Sequence, residues 1–415
     1  MVSVAPARDG TGSAPRSRSA GASGNRTLAC VMGSMNLLRP IGLAGIRCAS
    51  VARHGSPTLY SRFTRAVVPC ESFTEFTDTL VGELVRFGAA QSEPPVLFYE
   101  EDTQLLLVSR YRDRLATAFR FTIADAQLVE DLVDKTRFRV LAERLCLPVP
   151  KTCRLRPTAS PTPPDLDLNF PIIVKPATRN RAWREMGEAA KARQVDSPEA
   201  LRALWPHLVD AGQDLLAQEL IPGPESRIES YHVYVDPQGE IAGEFTGRKI
   251  RTFPEAYGHT TSLIITDEAD VAALGRDLTR RLGLRGVAKF DFKRGPDGTL
   301  HLLEVNPRFN LWHLPGALAG VNLPAMVYAD LLGLPRPATR HASPGVEWCH
   351  ITNDLAAARA AGMPLSAWAR WAWRCKAKST MAWDDPMPFL RGAWHRWASR
   401  RSALGIVTQP VREKS

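Results

Sequence analysis

The sequence predicts a mixed α/β protein in which a parallel, helix-crossed sheet precedes a hairpin-rich α+β body. Three observations carry this. Over residues 27–102 short apolar runs alternate with helical stretches, the pattern of a parallel α/β unit. Over residues 122–150 apolar residues recur at helical spacing. Beyond residue 170, short strand-like runs meet at turns bearing Gly and Pro.

Taken in order, "TLACVMG" reads as a buried strand, residues 37–44 as a helix, and "IRCASVA" as a second strand. "PPVLFYEED" is a further strand, ending at Glu101 and Asp102. Gly33 and Ser34 follow the first strand, but the other glycines of a dinucleotide fingerprint are absent. The helical stretch carries Leu128, Leu132, Phe138, Leu141 and Leu145, has Lys135 opening a helix after Asp134, and stops at Pro148 and Pro150. A Pro-rich loop covers 157–164. "FPIIVKP" is a short strand ending at Lys175 and Pro176, and "DLLAQELIPG" is a strand running into a turn at Pro222 and Gly223. "YHVYVDPQGEIAGEF" is a hairpin about residues 237–239.

The hairpin "FDFKRGPDGTLHLLEVNPRF" is the most informative stretch. If Asp297 and Gly298 form a two-residue type I′ turn, opposed residues have numbers summing to 595. Phe290 then meets Val305, and Phe292 meets Leu303, on an apolar face. The other face carries Lys289, Asp291 and Lys293 against Asn306, Glu304 and Leu302. Asp291 stands opposite Glu304, where like charges repel. A divalent cation between them would reverse the sign, and Asn306 could add a carbonyl oxygen. The alternative is a solvated hairpin whose acids pair with Lys289 and Lys293. Lys175 ends an apolar strand, where an ammonium is costly to desolvate unless an anion meets it.

Composition narrows the class. Seven scattered cysteines, with no C-x-x-C pair, argue against a disulfide framework or structural zinc and for a reducing, cytoplasmic compartment. The net charge of +10 divides into +3 over residues 1–26, +7 over 362–415, and neutrality between them. A basic stripe on the folded body, the footprint of nucleic-acid binding, is therefore not expected. The first 26 residues lack an apolar core and read as a disordered tail or, alternatively, an organelle transit peptide. Residues 309–329 carry no formal charge, yet Pro315, Pro324, Asn310 and Asn322 make a membrane span unexpected. Seven of the ten tryptophans lie beyond residue 347 among Arg and Lys. Either they pack in a groove of the body or they form a basic aromatic surface for peripheral membrane contact.

"DK" at 134–135, "VKP" at 174–176, "QELIPG" at 218–223, "FDF" at 290–292 and "EVNPR" at 304–308 occur in the order and at the distances of one family. The chain resembles the ATP-grasp superfamily over roughly 124–335, with a looser likeness in the α/β unit before it. The resemblance implies an ATP cleft between two α+β subdomains, preceded by a Rossmann-like pre-ATP-grasp domain. It places Lys135 and Lys175 on the α- and β-phosphates. Gln218, Glu219, Leu220 and Ile221 become a hinge, with backbone groups of Glu219 and Ile221 at the adenine edge. Asp291, Glu304 and Asn306 would hold one or two Mg²⁺, a place Mn²⁺ could also take. Arg308 would grip the reacting carboxylate or phosphoryl group, and Arg248 and Lys249 would add charge near the γ-phosphate. The family's Gly-rich phosphate loop is replaced by a basic lid bearing Arg179, Arg181, Arg184 and Arg193.

The implied activity is ATP-dependent joining of a carboxylate to an amine or thiol through an acylphosphate, most like the ligases grouped with D-aspartate ligase and the carbamoyl-phosphate synthase large chain. A bicarbonate-activating, biotin-carboxylase-like enzyme fits less well, because residues 309–313 lack the Glu of that group's run. A non-catalytic ATP-binding scaffold at a membrane is the other alternative. Expected domains are a tail (1–26), a pre-ATP-grasp domain (27–124), a small subdomain (125–217), a large subdomain with the metal site (218–338), and a helical Trp-rich extension (339–415). Partners would be small-molecule carboxylates and amines; the substrates and oligomeric state are not legible.

Overall fold

The computed structural model describes residues 27–75, 77–176, 192–212, 214–338 and 341–403, with side chains as far as 395. Residues 1–26, and with them the expected tail, lie outside the described residues, as do Arg179, Arg181 and Arg184 of the expected lid.

The first unit runs β1 (Ala29–Met32), α1 (Met35–Leu43), β2 (Cys48–Ala52), β3 (Thr64–Pro69), α2 (Thr77–Ala89), β4 (Val96–Tyr99), α3 (Asp102–Arg110) and α4 (Arg112–Ala116). Its four strands lie in the order β3-β2-β1-β4, all parallel. β1, β2 and β4 are buried throughout, which is why they read as unbroken apolar runs. Strand order reverses between β1 and β4, where α/β sheets usually take ligands. Here that crevice is filled from within: Ser34 Oγ donates to the Glu100 carboxylate at 2.9 Å, and the Ser34 N–H donates to it as well. A Cβ at Gly33 would fall 2.9 Å from the same carboxylate. The chain's own acid thus occupies the helix N-terminus where a phosphate would otherwise sit.

The helical segment is two helices, α5 (Ala126–Val133) and α6 (Lys135–Arg144). Asp134 breaks them. Its backbone is extended, and its side chain accepts from Thr136 N and Arg137 N, a cap contributing about 1 kcal/mol. This fixes Lys135 at the first position of α6. The next layer holds β5 (Thr152–Leu155), β6 (Ile172–Pro176), β7 (Arg193–Val195), α7 (Pro198–Asp210) and β8 (Leu215–Glu219). They form an antiparallel sheet, β5-β8-β6-β7, with its own core of Leu155, Ile172, Val174, Trp205 and Leu215.

The large sheet is built from β9 (Ile228–Val235), β10 (Ile241–Phe253), β11 (His259–Thr266), β12 (Gly286–Arg294) and β13 (Leu300–Asn306), with α8 (Ala269–Arg281) crossing between β11 and β12. The charge-free window folds as a loop with α9 (His313–Leu318) and α10 (Leu323–Leu331), packed in a core with Phe245, Leu263 and Trp312. Among the described residues no helix is long and apolar enough to cross a membrane. Beyond it come β14 (Glu347–Cys349), α11 (Ile351–Ala360), α12 (Leu365–Arg374), β15 (Ala377–Lys378) and α13 (Met387–Ala403). The sheet order is β13-β12-β9-β10-β11-β14-β15, so the Trp-rich extension contributes its last two strands.

The hairpin differs from the expected turn in an instructive way. Gly298 N–H bonds to Gly295 O and Gly295 N–H to Thr299 O, which makes a three-residue loop, not a two-residue one. Pro296 suits the first turn position and Gly298, at φ 87°, the left-handed one. Near the turn, partners therefore sum to 594, as in Lys293↔His301 and Phe292↔Leu302. A bulge between Asp291 and Phe292 then restores 595, giving Asp291↔Glu304 and Lys289↔Asn306. The expected facing of Leu302 and Leu303 is reversed: Leu302 is fully buried in the core, and Leu303 turns into the cleft.

Candidate active site

Two adjoining cavities lie where the small sheet, α6 and the large sheet meet. The smaller, about 170 Å³, is lined by Lys135, Lys175, Gln218, Glu219, Leu220, Ile221, Lys249, Asp291 and Glu304. The larger, about 650 Å³, shares Lys135, Lys175, Gln218, Leu303 and Glu304 and extends to Asn306, Arg308 and Asp102. The phosphate, hinge, metal and Arg308 positions singled out in the sequence therefore all reach one cleft, whereas Arg248 does not. That side chain is exposed, while its neighbour Lys249 turns inward, as alternation along β10 requires.

Each position has a local cause. β6 alternates so that Ile172 and Val174 enter the small core while Lys175 points to the cleft. Lys175 Nζ donates to Gln218 Oε1 at 2.9 Å, and Gln218 Nε2 donates to Thr152 Oγ1 at 2.8 Å. Burial pushes the Lys175 ammonium below its ordinary pKa, partly offset by Glu304 nearby. Lys135 Nζ reaches the Pro176 carbonyl at 2.9 Å, tying α6 to the end of β6. At the hinge, the Glu219 N–H is committed to Lys151 O at 3.0 Å and the Leu220 N–H to Pro171 O at 3.1 Å. The Glu219 carboxylate is also taken, by Asn169 at 2.8 and 2.9 Å.

The two acids face each other as expected, but their environments differ. Asp291 is buried; it accepts from Lys289 Nζ at 2.5 Å and from Ser230 Oγ. Burial opposes its ionisation. Lys289 and Lys249, with the hydrogen bonds from Lys289 and Ser230, outweigh that and hold the carboxyl well below the usual range. The repulsion between the acids is thus already relieved by Lys289, without a metal. Lys293 pairs instead with Glu225, at 3.7 Å. Glu304 is exposed to the cleft and accepts from Asn306 Nδ2 at 3.1 Å, while Asn306 Oδ1 accepts from Arg308 Nη2 at 3.2 Å. A guanidinium only donates and a carboxylate only accepts, so this chain fixes the amide's orientation.

Sequence reasoning missed what holds Arg308. Its guanidinium donates to Asp102 at 2.5 Å and to the Glu100 carbonyl at 2.7 Å, so the end of β4 braces the hairpin from the first unit. The signal was available, since Asp102 follows a parallel strand at its C-terminal end. Ser230 and Lys249 reach Asp291 from neighbouring strands, a relation only the sheet order reveals. Arg193 of the expected lid lies exposed on β7.

Among the described residues no group of three or more His, Cys, Asp or Glu gathers as a metal site. The donor set still suits a hard cation: two carboxylates and an amide oxygen, the number Mg²⁺ uses when phosphates complete its shell.

Comparison with known proteins agrees with this geometry. A family model described as "ATP-grasp in the biosynthetic pathway with Ter operon" matches residues 212–353. The chain is similar to a D-aspartate ligase of Enterococcus faecium (strain Aus0004), 24% identical over 286 residues, covering 66% of this chain and 68% of the relative. It is 27% identical to a D-alanine–D-alanine ligase of Ectopseudomonas mendocina (strain ymp), covering 42% of this chain and 55% of the relative, so it spans about half of that enzyme. Among solved structures, an L-amino acid ligase from Bacillus licheniformis superposes with a TM-score of 0.55 at 15% identity, covering 74% of each chain. The ADP complex of purK, an N5-carboxyaminoimidazole ribonucleotide synthetase, gives 0.57 at 15% identity, covering 77% of this chain and 80% of that one. Fold, motif order and family match point the same way: the chain is similar to proteins of the ATP-grasp superfamily.

Proposed function

We propose that the protein is an ATP-dependent carboxylate–amine ligase working through an acylphosphate. The observation that carries this is the convergence of Lys135, Lys175, Lys249, Asp291 and Glu304 on one small cavity that opens into a larger one. Together the two leave room for a nucleotide, a carboxylate and an amine, with the shared lysines Lys135 and Lys175 between them. The names of the similar ligases support the same reaction class.

In this reading Lys135 and Lys175 bind the α- and β-phosphates as point charges. The Glu219 carbonyl and the Ile221 backbone take the adenine edge, because the N–H groups of Glu219 and Leu220 are already committed. Asp291, Glu304 and Asn306 hold Mg²⁺, which when bound neutralises charge on the phosphates; Mn²⁺ would satisfy the same donors. Lys249 offsets charge at the γ-phosphate, and Arg248 belongs outside the cleft. The substrate carboxylate attacks the γ-phosphorus, ADP leaves, and the amine then displaces phosphate from the acyl carbon. Arg308, preset by Asp102, orients the carboxylate. No side-chain nucleophile is needed. The cleft lies between the units 125–217 and 218–338, with 27–124 closing one side. The reaction belongs to a cytoplasmic enzyme, in keeping with seven free thiols.

The test is phosphate release from Mg·ATP with pooled carboxylates and amines. Stimulation only when both are present supports ligation. Release dependent on bicarbonate alone, or none with any pair, refutes it.

A further inference from the structure

The extension holds two kinds of tryptophan. Trp348, Trp368 and Trp371 pack inward: Trp348 Nε1 bonds to Asn36 Oδ1, Trp368 Nε1 to Asp354 Oδ2, both at 2.9 Å, and Trp371 lies under the Arg251 guanidinium at 4.2 Å. Trp373 and Trp383 are 70% and 77% exposed and touch each other edge to face at 5.9 Å. On α13, Met387, Leu390 and Trp394 stand at helical spacing and are exposed as well, which makes an apolar stripe turned outward. Exposed apolar side chains on a folded surface are usually scattered singly, so a pair of exposed indoles in mutual contact stands out.

The charge around it identifies the occupant. Arg370, Arg374 and Lys376 are exposed about Trp373, and among the described residues none has an acidic partner. The acids of this segment are drawn away: Asp384 pairs with Arg39 at 2.5 Å and Arg62 at 2.9 Å, and Asp385 is buried on Ser61 Oγ and the Arg62 N–H. The net charge of residues 362–415 is +7. We infer that the surface carrying Trp373 and Trp383, with the exposed Arg370, Arg374 and Lys376, docks on an anionic lipid bilayer. The indoles would sit at headgroup depth and the cations against lipid phosphates. An acidic protein groove would be met by scattered polar contacts; unneutralised Arg and Lys flanking an exposed indole pair match an interfacial belt. The surface leaves the ATP cleft unobstructed, because none of its residues lines either cavity.

The experiment is vesicle flotation of the full chain, with phosphatidylcholine alone and with about a third of it replaced by phosphatidylglycerol. The protein should float with the anionic vesicles, with a blue shift in tryptophan emission, and should remain behind with neutral ones. W373S/W383S changes only exposed side chains and should reduce partition at least about tenfold. R370S/R374S/K376S should reduce it on the order of a hundredfold, about fivefold per cation removed. Folding is checked by the thermal transition, and the nucleotide-induced shift should be unchanged in both variants. Three results would overturn the inference: no flotation with anionic vesicles, equal flotation with neutral ones, or a concentration-dependent dimer by light scattering that W373S/W383S abolishes.

Discussion

Lys175→Met separates a binding lysine from a structural one, because the two roles predict opposite signs. The wild-type ammonium is half-buried at the cleft wall, and burial holds its pKa below the ordinary lysine value. A base whose folded pKa is depressed binds protons more weakly folded than unfolded. Its charge therefore penalises folding at neutral pH, a penalty that fades as pH rises toward the unfolded value of about 10.4. Methionine keeps the length and removes the charge. It also forfeits the bond to Gln218 Oε1, a contact worth about 1 kcal/mol, but Gln218 stays tethered to Thr152. The apo variant should thus be as stable as wild type or more so. Its nucleotide affinity should fall by the value of one charge-assisted phosphate bond, about 1.5–3 kcal/mol, or roughly tenfold to a hundredfold in Kd. Urea unfolding of the apo protein and calorimetric titration with Mg·ATP measure the two terms separately. A variant that loses more than about 2 kcal/mol without nucleotide, or binds Mg·ATP undiminished, refutes the assignment of Lys175 to the phosphates.

Glu304→Gln should leave the thermal transition in place, since Glu304 is exposed, and should cut substrate-stimulated phosphate release at least about a hundredfold; near-normal turnover would remove Glu304 from the metal site. In wild type, Mg²⁺ without nucleotide should produce no thermal shift, because Lys249 and Lys289 already oppose a free cation at Asp291. His232 and His313 are buried, have no hydrogen-bond partner among the described residues, and are held below the ordinary imidazole range by burial, His313 at about 3. Below about pH 6.5 the unfolded chain takes up protons that the folded one refuses, so stability should fall with pH, by about 2 kcal/mol per imidazole at pH 5 relative to pH 8. Urea midpoints at the two pH values measure this, and H232F/H313F should flatten the slope. Asp354 is fully buried and accepts from Arg251, Thr261 and Trp368, so Asp354→Asn should cost about 3–5 kcal/mol and open the extension to limited proteolysis. An unchanged transition temperature would show that the extension is anchored elsewhere.

The parts of the fold that the sequence made legible are those governed by local rules. Asp134 announces a helix start because its side chain caps the next two N–H groups, and Lys135 is placed by that alone. Lys175 is legible because alternation along a half-buried strand sends it opposite Ile172 and Val174. Arg248 lies outside the cleft for the same reason in reverse: alternation along β10 sends it to the face opposite Lys249. The Trp cluster could not be divided from composition, since Trp371 and Trp373 differ only in which side of α12 meets the body.

The hairpin shows where local rules stop sufficing. Asp297-Gly298 predicts a two-residue turn, the structure has a three-residue loop that shifts the register by one, and a bulge at Leu303 cancels the shift before Asp291 is reached. Had the bulge been absent, a three-residue loop would have set Asp291 against Leu303 and moved Glu304 off the cleft face. The bulge is therefore what brings Glu304 opposite Asp291, and it also delivers Leu303 to the cavity wall. The repulsion between the acids, which first drew attention to the site, is answered by Lys289 and Ser230 without any ion. The metal reading then rests on a different argument. Asp291 is kept ionised by standing positive charge, while Glu304 and Asn306 are turned toward a cleft walled by Lys135 and Lys175. A cation alone meets opposition there, and a polyphosphate alone meets two carboxylates. Together they neutralise each other in place, which is why the site should bind metal and nucleotide as one ligand.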